Sequence, residues 1–481
     1  MAGARERRPC RLGAHLLEHP GRYAQQNIAG CALARSDLVH GLRRHVLLVR
    51  LGRDRAGVSH TRTRWGYLHP VRRACESLVV PSSPTAIRKS RAQAAARPRA
   101  HRPANVRGRY AAVSLFAGAG GLDLGAESTE RVRVVWANDN ERWACETYRR
   151  NLGPHMAEGD IRALEVPDVP CDILLAGPPC QDFSQLWNHD GARTARGNLF
   201  REVARFLAAM QPAGFVLENV PGLLSANRGA AWTVVRHALR APASFLYGGP
   251  GVRYDLAARV VDMADLGVPQ HRERLLVIGT RRDLGVRPPM IPQLAAAGHI
   301  SAREALEFPP ILDDAPNHER GLDSPDVVER LKLIPPGRNY TIIPHDHPLF
   351  VKGLISHVYR RLDPDEPSYT VIANGGGGTH GYHYAEPRRL SNRERARLQT
   401  FPDTFVFADG GPGRSAYPRV RRQVGNAVPP RAAEIVVGAL VQRLQLAGVP
   451  LRGARELADV RRATLKLGSL LPATAEKQEA A

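Results

Sequence analysis

The stretch CDILLAGPPCQDFS, Cys171 to Ser184, decides the fold. Its first six residues, CDILLA, are an apolar run with the length of a buried strand. The run gives out at Gly177 onto a turn stiffened by Pro178 and Pro179, whose rings fix their own φ angles, and Cys180 follows at once. In open α/β sheets ligands bind beside the carboxyl ends of the strands, so a thiol there is placed for chemistry. Taken alone, a free cysteine is more often a small buried hydrophobe. The residues on either side shift that balance.

Upstream, AAVSLF (Ala111 to Phe116) reads as a strand running into the glycine-rich AGAGGLDLG, and VRVVWA (Val132 to Ala137) as a second strand before the helix-like ERWACETYRRN (Glu141 to Asn151). Downstream come a helix at Asn198 to Met210, the strand GFVLEN (Gly214 to Asn219) and the strand RLLVIGT (Arg274 to Thr280). Strands alternating with helices at these lengths predict βαβ units: an α/β, Rossmann-like, mainly parallel sheet over residues 110–281. Beyond about residue 282 the alternation stops. Residues 282–385 are rich in Pro, Gly and His, with GGGG at 375–378, and read as a smaller, irregular second domain. Helical patterning returns at SNRERARLQTF (Ser391 to Phe401), where Ser391 and Glu394 have capping-box spacing. It returns again after Pro429 and Pro430, to about Leu446. Residues 386–446 are expected to complete the first domain, and 447–481 to be a frayed tail.

The chain has 481 residues, 43% hydrophobic and 24% charged, enough for two or three domains. The formal net charge of +22 is unevenly placed: residues 1–109 hold 23 Lys and Arg against 5 Asp and Glu, leaving +4 for the rest. That segment is rich in Arg, Ala and Pro, is strand-like only at HVLLVRL (His45 to Leu51), and is expected to be largely disordered. It reads either as a basic arm for phosphates or as translated upstream sequence. No Met lies between Met1 and Met156, so a later start, for instance at Val106, needs a non-Met codon; intact-mass analysis of the native protein separates the two readings. The six cysteines show neither zinc spacing nor a disulfide framework. No metal is expected, and no run is long and apolar enough to span a membrane. A reducing, cytoplasmic compartment is expected.

Three acids follow strands. Asp139 is placed to bind the ribose hydroxyls of a nucleoside, Asp160 in EGDIRAL could read an adenine amino group, and Glu218 in LENV ends a buried strand, where a carboxylate is costly unless paired or functional. Singly, Asp139 and Asp160 read as solvated loop residues and Glu218 as a satisfied turn. With Gly118, Gly120 and Gly121 after the first strand, Asp139 and Asp160 at successive strand ends suggest a nucleoside pocket. Arg272 and Arg274 in QHRER fall on one face if extended; alone they read as a salt-bridged strand edge.

Together, FAGAGG, GPPCQDFS, LENV, QHRER, RRLSNRERARLQTFPD (Arg388 to Asp403) and RQVGNAVPP (Arg422 to Pro430) resemble, in order, the motifs of the DNA (cytosine-5)-methyltransferases over residues 110–446. The resemblance implies a sheet that binds S-adenosyl-L-methionine through Phe116, Gly118, Gly120, Gly121, Leu122, Asp139, Asn140, Asp160, Ile161, Pro178, Asn426 and Ala427. It also implies that the last motif packs beside the first, and that 282–385 is the target-recognition domain. Where the family often has an apolar or aromatic residue after the ribose-binding acid, this chain has Asn140, so Ile161 is expected to supply a face for adenine.

The implied chemistry is covalent. Cys180 adds to carbon 6 of a cytosine flipped out of duplex DNA and makes carbon 5 nucleophilic. Protonated Glu218 bonds ring nitrogen 3, and Arg272 and Arg274 hold the base, Arg274 more directly. The expected setting is a bacterial restriction–modification system, with a monomeric enzyme and any endonuclease a separate protein. A tRNA-methylating relative and a solitary DNA methylase are the nearest alternatives. A nicotinamide-dependent dehydrogenase is disfavoured by GxGG without a third spaced glycine, and a catalytically silent DNA-binding protein by an intact Cys180 and Glu218.

Overall fold

The structure is a computed structural model and describes residues 108–179, 199–291, 293, 298–352, 358–374, 381–411 and 416–468. Cys180, the strand-like His45 to Leu51 and the 375–378 glycine run lie outside these residues.

β1 (Tyr110–Leu115) is wholly buried and distributes its residues by the two-residue period of a strand. Tyr110 and Ala112 enter one hydrophobic cluster, and Ala111, Val113 and Leu115 another on the opposite face. α1 (Gly121–Ser128), β2 (Val132–Asp139), α2 (Arg142–Asn151), β3 (Met156–Glu158), β4 (Ile173–Ala176), α3 (Leu199–Met210) and β5 (Gly214–Asn219) follow. After β5 come α4 (Ala230–Arg240), α5 (Pro242–Tyr247), β6 (Tyr254–Asp262), β7 (Gln270–His271) and β8 (Glu273–Arg281). The seven-stranded sheet has the order β3-β2-β1-β4-β5-β8-β6. The pairs from β3 to β5 are parallel, and β8 runs antiparallel to both β5 and β6. The chain therefore reverses direction across the sheet between β1 and β4, where such sheets open a crevice at their carboxyl edge.

Residues 282–385 contain α6 (Ala302–Glu307), α7 (Pro325–Lys332) and the two-residue β9 (Ser368–Tyr369), which pairs with β7. Leu331, Ile334, Tyr340, Ile343, Val358, Tyr359 and Tyr382 form a small core there. Arg361 is buried against it, donating to the carbonyls of Ile334 at 2.7 Å and His383 at 3.0 Å. α8 (Asn392–Leu398) begins with the Ser391–Glu394 capping box, and α9 (Ala416–Asn426) and α10 (Pro430–Leu446) return the chain to the sheet.

The expected tail differs from what is found. Residues 454–468 form α11 (Ala454–Gly468). Leu457 is buried, and Arg461 donates through Nε to the Val134 carbonyl at 2.7 Å and through Nη2 to Glu127 at 2.6 Å. Its anchors are chiefly polar, so apolar periodicity gave little sign of it. No helix among the described residues is long and apolar enough to cross a membrane.

Candidate active site

The turn after β1 is tight because its residues take left-handed backbone. Phe116 has φ 57°, Gly118 55° and Gly120 90°. Phe116 does so without glycine's freedom, a strain that clusters at functional turns. A Cβ on Gly118 would meet no atom within 4 Å, and one on Gly177, across the opening, only the Phe116 carbonyl at 3.8 Å. The backbone therefore borders an open cradle between β1 and β4.

Asp139 closes the cradle on one side. Its Oδ2 accepts from the Gly118 N–H at 2.8 Å and its Oδ1 from the Glu141 N–H at 2.9 Å. Burial nevertheless dominates these bonds and raises its pKa. Asn138 donates to the carbonyls of Ala157 and Gly159, fixing the loop that leads to Asp160. Asp160 is half-exposed and held by Arg162, whose hydrogen bonds keep its carboxyl below the usual range. Asn140 is exposed, while Ile161 is 2% exposed within a hydrophobic cluster. Leu122 is buried on the first turn of α1, and Pro178 is buried after β4.

At the end of β5, Glu218 Oε1 lies 2.9 Å from Nε of Arg274 on antiparallel β8, both side chains largely buried. The register explains the meeting, since Glu218 sits opposite Leu276, two residues along β8 from Arg274. The adjacent Asn219 turns back to the proline loop, its Nδ2 donating to the Pro178 carbonyl at 2.9 Å and its Oδ1 accepting from the Val220 N–H at 2.8 Å. LENV thus grips both the arginine strand and the segment entering Cys180. Asn219 was not singled out from sequence. Its only signal was a carboxamide directly after a strand-end acid.

The two arginines of QHRER part company. Arg272 lies between β7 and β8, outside the regular strand, and is 2% exposed. Its guanidinium donates to the carbonyls of Gly425 at 3.0 Å, Val371 at 3.3 Å and Ala427 at 3.4 Å. Burial first, then the like charge of Arg274, lowers its pKa. Two glutamines extend this clamp. Gln270 donates to Gln399 Oε1 at 2.9 Å and accepts from the Val371 N–H at 2.9 Å, and Gln399 donates to the Val424 carbonyl at 2.7 Å. Asn426 is exposed at the end of α9, and Ala427 is buried beside it.

The last motif also packs onto the first. A Cβ on Gly121 would lie 2.2 Å from the Val428 carbonyl, and one on Gly125 2.2 Å from that of Pro430. These two glycines, one helical turn apart on α1, let the start of α10 approach backbone to backbone.

An α/β sheet of this order, with a glycine cradle at its reversal point and an acid–arginine pair beside Pro178 and Pro179, is the arrangement of an α/β enzyme that takes its ligand at the carboxyl edge of the sheet. The family model for C-5 cytosine-specific DNA methylases matches residues 110–442, and the chain belongs to that family. It is accordingly a DNA (cytosine-5-)-methyltransferase. Among its relatives, the type II methyltransferase M.NgoFVII of Neisseria gonorrhoeae is 45% identical, over 66% of this chain and 83% of the relative. Type II methyltransferase M.BbvI of Brevibacillus brevis is 39% identical, over 68% and 90%. The DNA (cytosine-5-)-methyltransferase M.ApeKI of Aeropyrum pernix is 34% identical, over 70% and 99%. A solved Escherichia coli structure described as a prophage-encoded DNA modification methyltransferase shares the fold, with a TM-score of 0.54 and 22% identity over 70% of this chain and 99% of that one.

Proposed function

We propose that this chain methylates carbon 5 of cytosine within a specific double-stranded DNA sequence, using S-adenosyl-L-methionine and a covalent Cys180 adduct, as the modification arm of a restriction–modification system. The observation that carries the reading is the Glu218–Arg274 pair at 2.9 Å, with Asn219 tying the same turn to the residues before Cys180.

The cradle fits the methyl donor. Gly118 leaves open space above the turn, and Asp139 presents a fixed carboxylate at the end of β2. Phe116, Gly118, Gly120, Gly121, Leu122, Asp139, Asn140, Asp160, Ile161, Pro178, Asn426 and Ala427 are assigned to hold it. Bound there, it supplies an electrophilic methyl group.

Cytosine carbon 5 is a weak nucleophile, so the protein must first raise its electron density. Cys180 thiolate adds at carbon 6 and forms a carbon–sulfur bond, and the ring becomes an enamine. Glu218 carries a proton to ring nitrogen 3 and so takes up the charge that develops there. Arg274 orients Glu218 and offers its remaining N–H groups to the base. After carbon 5 is alkylated, loss of its proton to water and departure of the Cys180 sulfur as thiolate, with the proton on ring nitrogen 3 returning to Glu218, restore the aromatic ring. A stacked base is out of reach, so the target cytosine is flipped from the duplex. Residues 282–385 read the sequence, and the enzyme acts as a monomer, with any endonuclease a separate protein.

Supplying labelled S-adenosyl-L-methionine with unmethylated bacterial DNA and, in parallel, tRNA tests this reading. The expected outcome is label as 5-methylcytosine in DNA, abolished in Cys180→Ala and slowed at least a hundredfold in Glu218→Gln. Label confined to tRNA overturns the substrate; undiminished transfer by Cys180→Ala overturns the mechanism.

A further inference from the structure

Away from the Glu218–Arg274 pair, at the free edge of the sheet, β6 and α4 enclose an open cleft of about 500 Å³. Trp232, Arg236 and Arg240 recur every four residues on α4 and so form one stripe. Arg287 and Pro288 face them from the irregular segment that follows β8, and Asp255, Leu256 and Ala258 of β6 make the floor. The cleft's one acid is already engaged, Asp255 accepting from Arg282 at 2.7 and 3.0 Å. Arg236, Arg240 and Arg287 are exposed and have no hydrogen-bond or ion-pair partner among the described residues. This concentration stands out in a region, residues 110–481, whose formal charge is only +4.

We propose that this cleft is a second DNA-binding site, taking the phosphodiester backbone of duplex DNA outside the target sequence. Guanidiniums are weakly hydrated and match phosphate oxygens with paired N–H groups. Two of them one helical turn apart, about 6 Å, with a third opposite, form a row that suits successive phosphates better than a single enclosed anion. Trp232 gives that row an apolar wall for a sugar edge. The cleft is distinct from the base-flipping site: Ala258 lies level with Leu217, two strands out from β5. It therefore holds DNA without reading a base, and raises the local concentration of substrate around the enzyme. The inference rests on the DNA-methylating reading of the main site.

The test uses the full chain and a fluorescent 40-base-pair dA·dT duplex, which contains no cytosine. Its affinity is measured by anisotropy from low to moderate salt for the native protein, Arg236→Ala/Arg240→Ala/Arg287→Ala and the corresponding triple Lys variant. Circular-dichroism melting reports folding. The Ala variant is expected to bind at least tenfold more weakly, with the slope of log affinity against log salt reduced by about three, and the Lys variant to keep most of both. The basic residues 1–109 are common to all three proteins, so the difference isolates the cleft. Equal affinity and slope in a folded Ala variant overturn the proposal. Loss of ATP binding with unchanged duplex binding makes the cleft a small-anion site and overturns it too. Failure of native protein to methylate DNA, with the dA·dT difference intact, removes the main reading alone.

Discussion

Asp123 is fully buried on α1, accepting from Ser114 Oγ at 2.6 Å and Tyr148 OH at 2.7 Å, and Tyr148 OH also meets His155 Nε2 at 3.1 Å. Burial raises the Asp123 pKa from 3.8 to about 6 against the pull of both hydrogen bonds, and lowers that of His155 from 6.5 to about 3, with Arg461 assisting. The two act on stability with opposite signs. Asp123, raised in the folded state, contributes stability that is complete below its unfolded pKa and is lost as pH rises through about 6. His155, depressed in the folded state, contributes stability present above 6.5 and lost as pH falls towards 3. Between pH 4 and 6 their slopes oppose, each at up to about 1.4 kcal/mol per pH unit. We expect Asp123→Asn to make stability climb more steeply with pH over this interval than in the native chain, and His155→Gln to make it fall. Urea unfolding at several pH values from 4.5 to 6 checks both, and parallel curves for all three proteins refute the account.

At the scale of elements, the contact between α1 and α10 depends on what is missing from α1. A Cβ on Gly125 would fall 2.2 Å from the Pro430 carbonyl and 2.5 Å from Ala433 Cβ, both on another helix and neither a flexible side-chain end. Gly125→Val is expected to destabilise the protein by about 1–3 kcal/mol and to loosen the motif at 422–430 from the cradle. The urea midpoint should fall accordingly, and an unchanged midpoint would show that α10 can slide. These contacts also show which elements could be read from sequence. β1, β2, β4 and β5 were legible because strands buried on both faces become short apolar runs, and α8 because its capping box is local chemistry. β6 was not. Two of its nine residues are buried, and YDLAARVVD is strand only because β8 lies beside it. α11 was missed for a related reason, its arginine anchor being a partnership with β2. Within the candidate site the same limit applies. Asp139 and Glu218 stand out in the sequence because acids at strand ends are conspicuous. Arg272 and Arg274 looked equivalent because spacing shows a shared face but cannot show that one side chain leaves the strand for the carbonyls of another segment.

For the molecule as a whole, the methylase motifs occupy residues 110–446 and converge from both ends of that span, the first and last through α1 and α10, the middle ones through Glu218, Arg274 and Asn219. Just outside the span the backbone closes on itself. Arg109 and Arg452 form an antiparallel bridge, with N–H to carbonyl distances of 3.0 and 2.9 Å, and Asp172 fastens it by accepting from the Arg452 guanidinium and the Ala111 N–H. With those two positions side by side, the linear order of the motifs is a matter of gene layout rather than of architecture. A circular permutant that keeps α11, joined from Gly468 back to Arg109 by a flexible glycine linker long enough to retrace that helix, about 22 Å, and opened at the exposed Gly298, should fold and transfer methyl groups at a rate within about tenfold of the parent, since no bond among Asp139, Glu218 and Arg274 crosses either cut. Insoluble or inactive permutants would mean that the succession of segments along the chain governs how the sheet assembles. An enzyme built this way could therefore be reordered by gene rearrangement, with the two halves of residues 282–385 carried to its termini, without redesigning its chemistry.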